Sequence, residues 1–206
     1  MPFVDREIEM SALEAAYKNP IASLFVVYGR RRVGKTTLLA EFCKGKHALY
    51  YLATEESIQA NCAAFREMAA DFLQDELLRS AANAGWEMIF KTLLAQPSEE
   101  KLVIIIDEFQ YLGKADKAFP SVFQKIWDTQ LKNENVEVIL CGSLVHMMME
   151  QTLSYSSPLY GRRTGQIKLK QIPYAYYNQF FPAMSEQERI LYYAVTGGVP
   201  KYIELF

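Results

Sequence analysis

Cysteine is scarce and scattered in this chain. Cys43, Cys62 and Cys141 are odd in number, far apart, and form neither a C-x-x-C pair nor part of a His/Cys cluster. That spacing argues for reduced thiols in a cytoplasmic setting and against a zinc site, with each thiol a small buried hydrophobe. No apolar run approaches the ~20 residues of a membrane span, and the start Met1-Pro2-Phe3-Val4-Asp5-Arg6 lacks the basic and apolar regions of a secretory leader. Positive charge is not in excess either: the formal net charge is −2, so no overall field draws nucleic acid or an anionic membrane, and only a local basic patch could. Repeats and low-complexity segments are absent. What remains is a soluble, intracellular globular protein of 206 residues, half of them apolar, enough for one sizeable core and at most a small appendage.

Against that background one stretch stands out. Gly29-Arg30-Arg31-Arg32-Val33-Gly34-Lys35-Thr36-Thr37 fits G-x-x-x-x-G-K-[ST] and follows the strand-like run Leu24-Phe25-Val26-Val27-Tyr28. Leu38, Leu39 and Phe42 then fall on one side of a helix beginning at Lys35. Strand, loop and helix are the context in which this pattern cradles phosphate. Gly29 and Gly34 let the backbone bend and approach closely, and the amides of Arg32, Val33, Gly34, Lys35, Thr36 and Thr37 would face the β- and α-phosphates at a helix N-terminus. The Lys35 ammonium reaches the β/γ oxygens, and the Thr36 hydroxyl is placed to ligate Mg²⁺. The three loop arginines are open to phosphate, to a partner or to solvent.

The remaining elements alternate. Asp5 is expected to cap a first helix carrying Met10, Leu13 and Tyr17. His47–Ala53 reads as a second strand, and Ser57 caps a helix with Ile58, Cys62, Phe65, Ala69 and Phe72 on one face. A further helix covers Trp86 to Leu94. The β-branched run Leu102-Val103-Ile104-Ile105-Ile106 predicts a central strand buried on both faces. A helical stripe from Phe119 to Leu131 leads into a fourth strand, Val136–Leu140. The alternation implies a parallel sheet with helices on both faces. Ile167-Lys168-Leu169-Lys170 predicts a more exposed fifth strand. From Pro173 the chain turns helical and aromatic, with Tyr174, Tyr177, Phe181, Tyr192 and Tyr193 as core or a docking face, and Ser185-Glu186-Gln187-Glu188 has the capping-box form.

Asp107 closes the apolar strand where a phosphate-loop protein keeps its magnesium carboxylate, bridged to the Thr36 hydroxyl. Glu108, one residue on, is placed to orient a water against the γ-phosphate, which favours hydrolysis over transfer. The separation of Lys35 from Asp107 leaves room for an extra strand beside the phosphate loop. Ser143, at the tip of the fourth strand, either approaches the γ-phosphate or caps the helix starting at Leu144. Arg162 and Arg163, beside the turn at Gly161, are candidates for an arginine reaching the γ-phosphate in cis or from a neighbouring molecule, an effect of ~10³–10⁵ in rate. These residues make an ATPase the leading reading. A P-loop kinase with Arg162 and Arg163 as lid arginines, and a non-catalytic nucleotide-dependent interaction or DNA-binding module, stay open beside it.

The sequence resembles the archaeal-type P-loop ATPases of archaea and many bacteria, which belong to the signal-transduction ATPases with numerous domains and are related to AAA+ proteins. The likeness rests on Phe3-Val4-Asp5-Arg6-Glu7-Ile8-Glu9, on Gly29 to Thr36, on Ile106-Asp107-Glu108-Phe109-Gln110-Tyr111-Leu112, on Ser156 to Gly165, and on Thr196-Gly197-Gly198-Val199-Pro200-Lys201-Tyr202. The resemblance implies an ASCE-type, three-layer αβα domain with a five-stranded, mainly parallel sheet over residues 1–172, and over 173–206 the start of a helical lid. It implies ATP/ADP and Mg²⁺ as ligands. Phe3, Val4 and Arg6 would flank the adenine, Arg6 fixing that N-terminal box, and Pro200 would pack against the nucleotide. A protein partner or self-association is expected, and DNA only through domains absent from this chain. Asp5 stands where the family usually has Gly. Relatives continue past the Gly-Val-Pro motif, so the chain is expected to be a truncated form in which the lid is only begun.

Overall fold

The computed structural model describes residues 2–95 and 98–205; Met1 and Phe206, the outermost residues of the two expected segments, lie outside that range. Helix α1 (Glu7–Lys18) precedes β1 (Ser23–Tyr28) and α2 (Lys35–Cys43), and β2 (Ala48–Leu52) leads to α3 (Ile58–Leu73), α4 (Glu76–Ser80) and α5 (Trp86–Leu94). Next come β3 (Leu102–Asp107), α6 (Gln110–Ala115), α7 (Phe119–Ile126), β4 (Val136–Gly142), α8 (Val145–Met148), β5 (Gly165–Lys168), α9 (Glu186–Thr196) and α10 (Pro200–Ile203). The five described strands form one sheet in the order β2-β3-β4-β1-β5, every pairing parallel. β1, β3 and β4 are buried along their whole length, as their near-continuous Val/Ile/Leu runs require in a parallel sheet covered on both faces.

Alternate strand residues divide the core between the two faces. Leu24, Val26, Ile104, Ile106 and Val138 pack with Phe65 of α3, Ile89 and Phe90 of α5, and Phe119 and Phe123 of α7. Phe25, Val27, Val103, Ile105 and Ile139 pack on the other side with Leu13 of α1 and Leu38, Leu39 and Phe42 of α2. Helix, sheet and helix therefore make three layers. The register Tyr28↔Gly142 and Ile106↔Leu140 brings the ends of β1, β3 and β4 level, so the segments that follow them share the carboxyl edge of the sheet. The strand standing between β1 and β3 is β4, which follows Asp107 in sequence; β2, the strand between Lys35 and Asp107, lies at the far edge.

Ser57 caps α3 by accepting from the Ala60 amide at 3.1 Å, and Ser185 with Glu188 forms the capping box of α9. Several local expectations are corrected. Asp5 does not cap α1: its backbone is left-handed (φ 54°), the conformation glycine adopts freely, and the helix starts one residue later with Arg6 as N-cap. Ser143 does not cap α8, whose N-cap is Leu144. The Phe119 to Leu131 stripe is α7 followed by a π-helical turn over Trp127–Leu131. β5 begins two residues earlier than its alternation predicts, because the Thr164 amide donates to the Leu24 carbonyl at 2.8 Å and Gly165 lets the Phe25 ring lie where a Cβ would stand. Of the thiols, Cys141 is buried while Cys43 and Cys62 are half-buried. In the aromatic segment Tyr177 is wholly buried, its hydroxyl 2.9 Å from Thr196 Oγ1 and its ring against Phe181 and Tyr193. Among the described residues no helix is long and apolar enough to cross a membrane.

At the opposite edge of the sheet Glu137 of β4 is fully buried with neither carboxylate oxygen hydrogen-bonded, and Ser23, its register partner on β1, has a buried hydroxyl in the same condition. Burial pushes the Glu137 carboxyl up to about 8, against the opposing pull of Lys101 and Lys46. The folded state therefore binds a proton that the unfolded chain releases near pH 4.5, and the stability linked to Glu137 is present at low pH and lost as pH rises towards 8. Glu137→Gln should leave stability near pH 5 almost unchanged and raise it by about 1–3 kcal/mol at pH 8.5, read by denaturant unfolding at the two pH values; an equal effect at both would contradict this.

Candidate functional site

The phosphate-type loop is shaped by what surrounds it. A Cβ on Gly29 would stand 2.4 Å from the Leu169 carbonyl oxygen, so only glycine lets β1 leave the sheet alongside the end of β5. Gly34 is the left-handed N-cap of α2 (φ 93°), and its turn aims the loop at the helix N-terminus. Arg32 is also left-handed (φ 70°). The buried Lys35 ammonium folds back along the loop and donates to the carbonyls of Gly29 at 3.0 Å and Arg30 at 3.1 Å.

In front of the loop lies a cavity of about 580 Å³ lined by Arg31, Arg32, Gly34, Lys35, Thr36 and Thr37, by Glu108 and Ser143 from the ends of β3 and β4, and by Pro200, Lys201 and Glu204. Asp107 is buried behind it, and both carboxylate oxygens are held. Oδ1 accepts from the Glu108 amide at 2.8 Å; Oδ2 accepts from the Thr36 hydroxyl at 3.3 Å and from the Tyr50 phenol at 2.5 Å. Burial, with the negative charge of Asp107 beside it, pushes the Tyr50 phenol well above its ordinary range, so it stays a neutral donor. Glu108 takes a left-handed backbone (φ 54°) that costs a non-glycine residue about 1 kcal/mol or more and turns its side chain toward Ser143. Its Oε2 accepts from the Ser143 hydroxyl at 2.7 Å, from the Ser143 amide at 3.3 Å, and from Gln110 Nε2. Thr36 and Asp107 offer hard oxygen donors, and the described residues hold no cluster of three His, Cys, Asp or Glu side chains. That donor set fits Mg²⁺, which takes one or two protein oxygens and completes its shell with phosphates and water.

Both flanks of the sequence close on the loop. Arg6 is buried and donates to the Val33 carbonyl at 3.1 Å, to the Lys170 carbonyl at 2.8 Å and to the Asp5 carbonyl at 2.9 Å. Burial lowers its pKa, while Glu9 and Asp5 act to raise it. Phe3, Val4 and Arg6 line a second, small cavity of about 40 Å³ with Val33, Thr37 and Pro200. From the other flank, the Lys201 amide donates to the Arg32 carbonyl at 3.5 Å, and the Arg32 guanidinium lies 5.5 Å from the Tyr202 ring and donates to its hydroxyl at 3.3 Å. Arg31 donates to the Tyr111 hydroxyl at 2.9 Å.

The structure thus gathers Phe3, Val4, Arg6, the Gly29 to Thr37 loop, Asp107, Glu108, Ser143 and Pro200 in one region. Arg162 and Arg163 are not among the residues lining either cavity. Arg162 grips Asp128 with Nε and Nη2 at 2.7 to 3.0 Å and donates to the Pro158 carbonyl at 2.9 Å; Arg163 donates to the Leu153 carbonyl at 3.3 Å and lies over Tyr160 at 5.7 Å. Sequence reasoning overlooked Tyr50, Gln110 and Tyr202. Gln110 and Tyr202 fall inside quoted motifs and could have been found by asking which motif side chains point inward, whereas nothing in the pattern of β2 marks Tyr50.

A parallel sheet in this order, with a glycine-lysine loop after β1 and acidic residues closing β3, defines a P-loop ATPase domain. Residues 3–206 match the family described as an ATPase domain predominantly from Archaea, and the chain belongs to that family. An uncharacterized protein of Methanocaldococcus jannaschii, MJECL04, is 38% identical over 202 residues, covering 98% of this chain and 43% of that protein. Among solved structures, the Walker-type ATPase PABY2304 of Pyrococcus abyssi superposes with a TM-score of 0.63 at 22% identity, over 98% of this chain and 65% of that one. A STAND protein with a tetratricopeptide repeat sensor from Pyrococcus horikoshii, PH0952, gives a TM-score of 0.65 at 20% identity, over 99% and 29% of the two chains. The chain therefore spans less than half of its M. jannaschii relative and under two thirds of both structural neighbours.

Because the atom a Gly29 Cβ would meet is backbone, it cannot move aside cheaply. Gly29→Ala should lower stability by about 1–3 kcal/mol and weaken nucleotide binding in parallel, measured by denaturant unfolding and calorimetric titration; wild-type values in both would contradict the close approach.

Proposed function

We propose that this domain binds ATP with Mg²⁺ and hydrolyses it to ADP and phosphate, and that the state of the γ-phosphate switches the conformation of the chain. The observation that carries the reading is the convergence of Lys35, Thr36 and Glu108 on one cavity at the carboxyl edge of the sheet, with Asp107 held directly behind Thr36. Lys35 exchanges the Gly29 and Arg30 carbonyls for β/γ oxygens of the nucleotide, a change that keeps its ammonium hydrogen-bonded throughout. Thr36 and Asp107 would hold the cation, which would supply neutralisation of the phosphate charge. The adenine lies between the Phe3 to Arg6 segment and Pro200, a reading supported by the small cavity that these residues line together.

Glu108 orients a water against the γ-phosphorus and accepts its proton as the new P–O bond forms and the bond to the β-phosphate oxygen breaks, leaving that oxygen on ADP. Ser143 meets the γ-phosphate or the attacking water by releasing its hydroxyl from Glu108. Arg162 and Arg163 act on the γ-phosphate in cis or from a neighbouring molecule, and by either route Arg162 first exchanges the Asp128 carboxylate for the phosphate. Residues 173–206 begin a lid on the core of residues 1–172, and the Arg32 contact with Tyr202 supports a link between phosphate loop and lid. The domain works in the reduced cytoplasm, and its effector acts through further domains or through self-association.

Glu108→Gln should keep ATP affinity within about threefold and lower phosphate release about 10²–10⁴-fold, the range a positioned acid–base group contributes. Release is measured with no phosphoryl acceptor present. Hydrolysis at the wild-type rate removes Glu108 from the reaction, and release that depends on an added acceptor would favour a kinase.

A further inference from the structure

Asp107 is held from more sides than a cation ligand needs for its own sake, and the extra hold comes from Tyr50 on the edge strand β2. We infer that Tyr50 is a positioning residue: its phenol fixes Asp107 Oδ2 so that the carboxylate and the Thr36 hydroxyl meet a divalent cation already aligned. The inference rests on the proposed reading of Thr36 and Asp107 as cation ligands.

The strand register supplies the geometry. β2 pairs with β3 so that Tyr50 lies opposite Ile105 and Leu52 opposite Asp107. Residues 50, 105 and 107 consequently share one face of the sheet, the face covered by α2, and the long Tyr50 side chain leans along its strand to reach the carboxylate. No shorter side chain on that edge strand would span two rungs of the ladder. Its hydroxyl reaches Oδ2 at 2.5 Å, nearer than the Thr36 hydroxyl at 3.3 Å. Oδ1 is occupied by the Glu108 amide at 2.8 Å.

These partners differ in what a bound cation leaves them. A hydroxyl that ligates a cation turns its lone pair to the metal, so the Thr36 contact is re-formed when the cation enters. The Glu108 amide is fixed by the chain itself. The buried Cys141 thiol also bonds the Asp107 carboxylate but is a weak donor, so Tyr50 is the strong side-chain donor on Oδ2 that can keep its place in both states, the part played by outer partners that orient metal-ligating carboxylates. Removing such a partner typically costs about 10–100-fold in metal affinity. A purely packing role would need the ring and not the hydroxyl.

The test separates these roles with Tyr50→Phe, which keeps the ring. ATP is titrated calorimetrically into the full chain in excess Mg²⁺ and again in EDTA, and the ratio of the two affinities measures the cation's contribution. The wild type should bind more tightly with Mg²⁺. The Y50F variant should match the wild type within about twofold in EDTA and lose about tenfold of the Mg²⁺ enhancement. An unchanged ratio, or an equal loss in both conditions, overturns the positioning role while leaving the cation site intact. A wild type that binds ATP equally with and without Mg²⁺ overturns the ligand reading of Thr36 and Asp107, and Tyr50's role with it.

Discussion

Parallel pairing of β1 with β4 and of β4 with β3 is the constraint on which the rest of the structure depends. A parallel ladder puts every carboxyl end on the same edge, so the loop after β1, the acidic pair ending β3 and the serine ending β4 must emerge together. Thr36 and Asp107, 71 residues apart in sequence, meet at 3.3 Å for this reason alone. A slip of one residue in β3 would turn Asp107 to the α3 face and take it from the cavity. The burial of β1, β3 and β4 on both faces fixes that register, since a slip would exchange the two halves of the core.

Around this edge the chain is drawn in from both sides. Arg6 joins the loop at Val33 to Lys170, two residues past β5, and the segment from Lys201 to Tyr202 takes hold of Arg32. Two of the three loop arginines thus have partners within the molecule: Arg31 on Tyr111 and Arg32 on Tyr202. Both contacts are exposed, so each is worth on the order of 1 kcal/mol or less. Their weakness suits the proposed switch, because a phosphate entering the cavity would need little free energy to redistribute them.

Much of the fold was legible because its signals are local or periodic. The β-branched runs of β1, β3 and β4, the Ser57 cap, the capping box at Ser185 and the glycine-lysine loop each follow from side-chain size or hydrogen bonding within a few residues. The failures are tertiary. Asp5 reads as a cap, yet its backbone is set by Arg6, which is pulled into the molecule by carbonyls at Val33 and Lys170. Ser143 reads either as reaching the γ-phosphate or as capping a helix, and only the neighbouring strand end reveals that its hydroxyl is engaged by Glu108. Tyr50 sits in an ordinary run of strand residues, and its contact with Asp107 exists only once β2 pairs with β3. The attachment of Arg162 to Asp128 likewise joins residues 34 apart with no pattern to announce it.

Binding of ATP at the Gly29 to Thr37 loop is the claim beneath all of these. Native mass spectrometry of the chain mixed with Mg-ATP, beside the Lys35→Ala variant, measures it directly. The account predicts one nucleotide per wild-type chain and a loss of at least about tenfold in occupancy-derived affinity for the variant, as expected when a buried cation facing the phosphates is removed. Equal occupancy of the two proteins would contradict it.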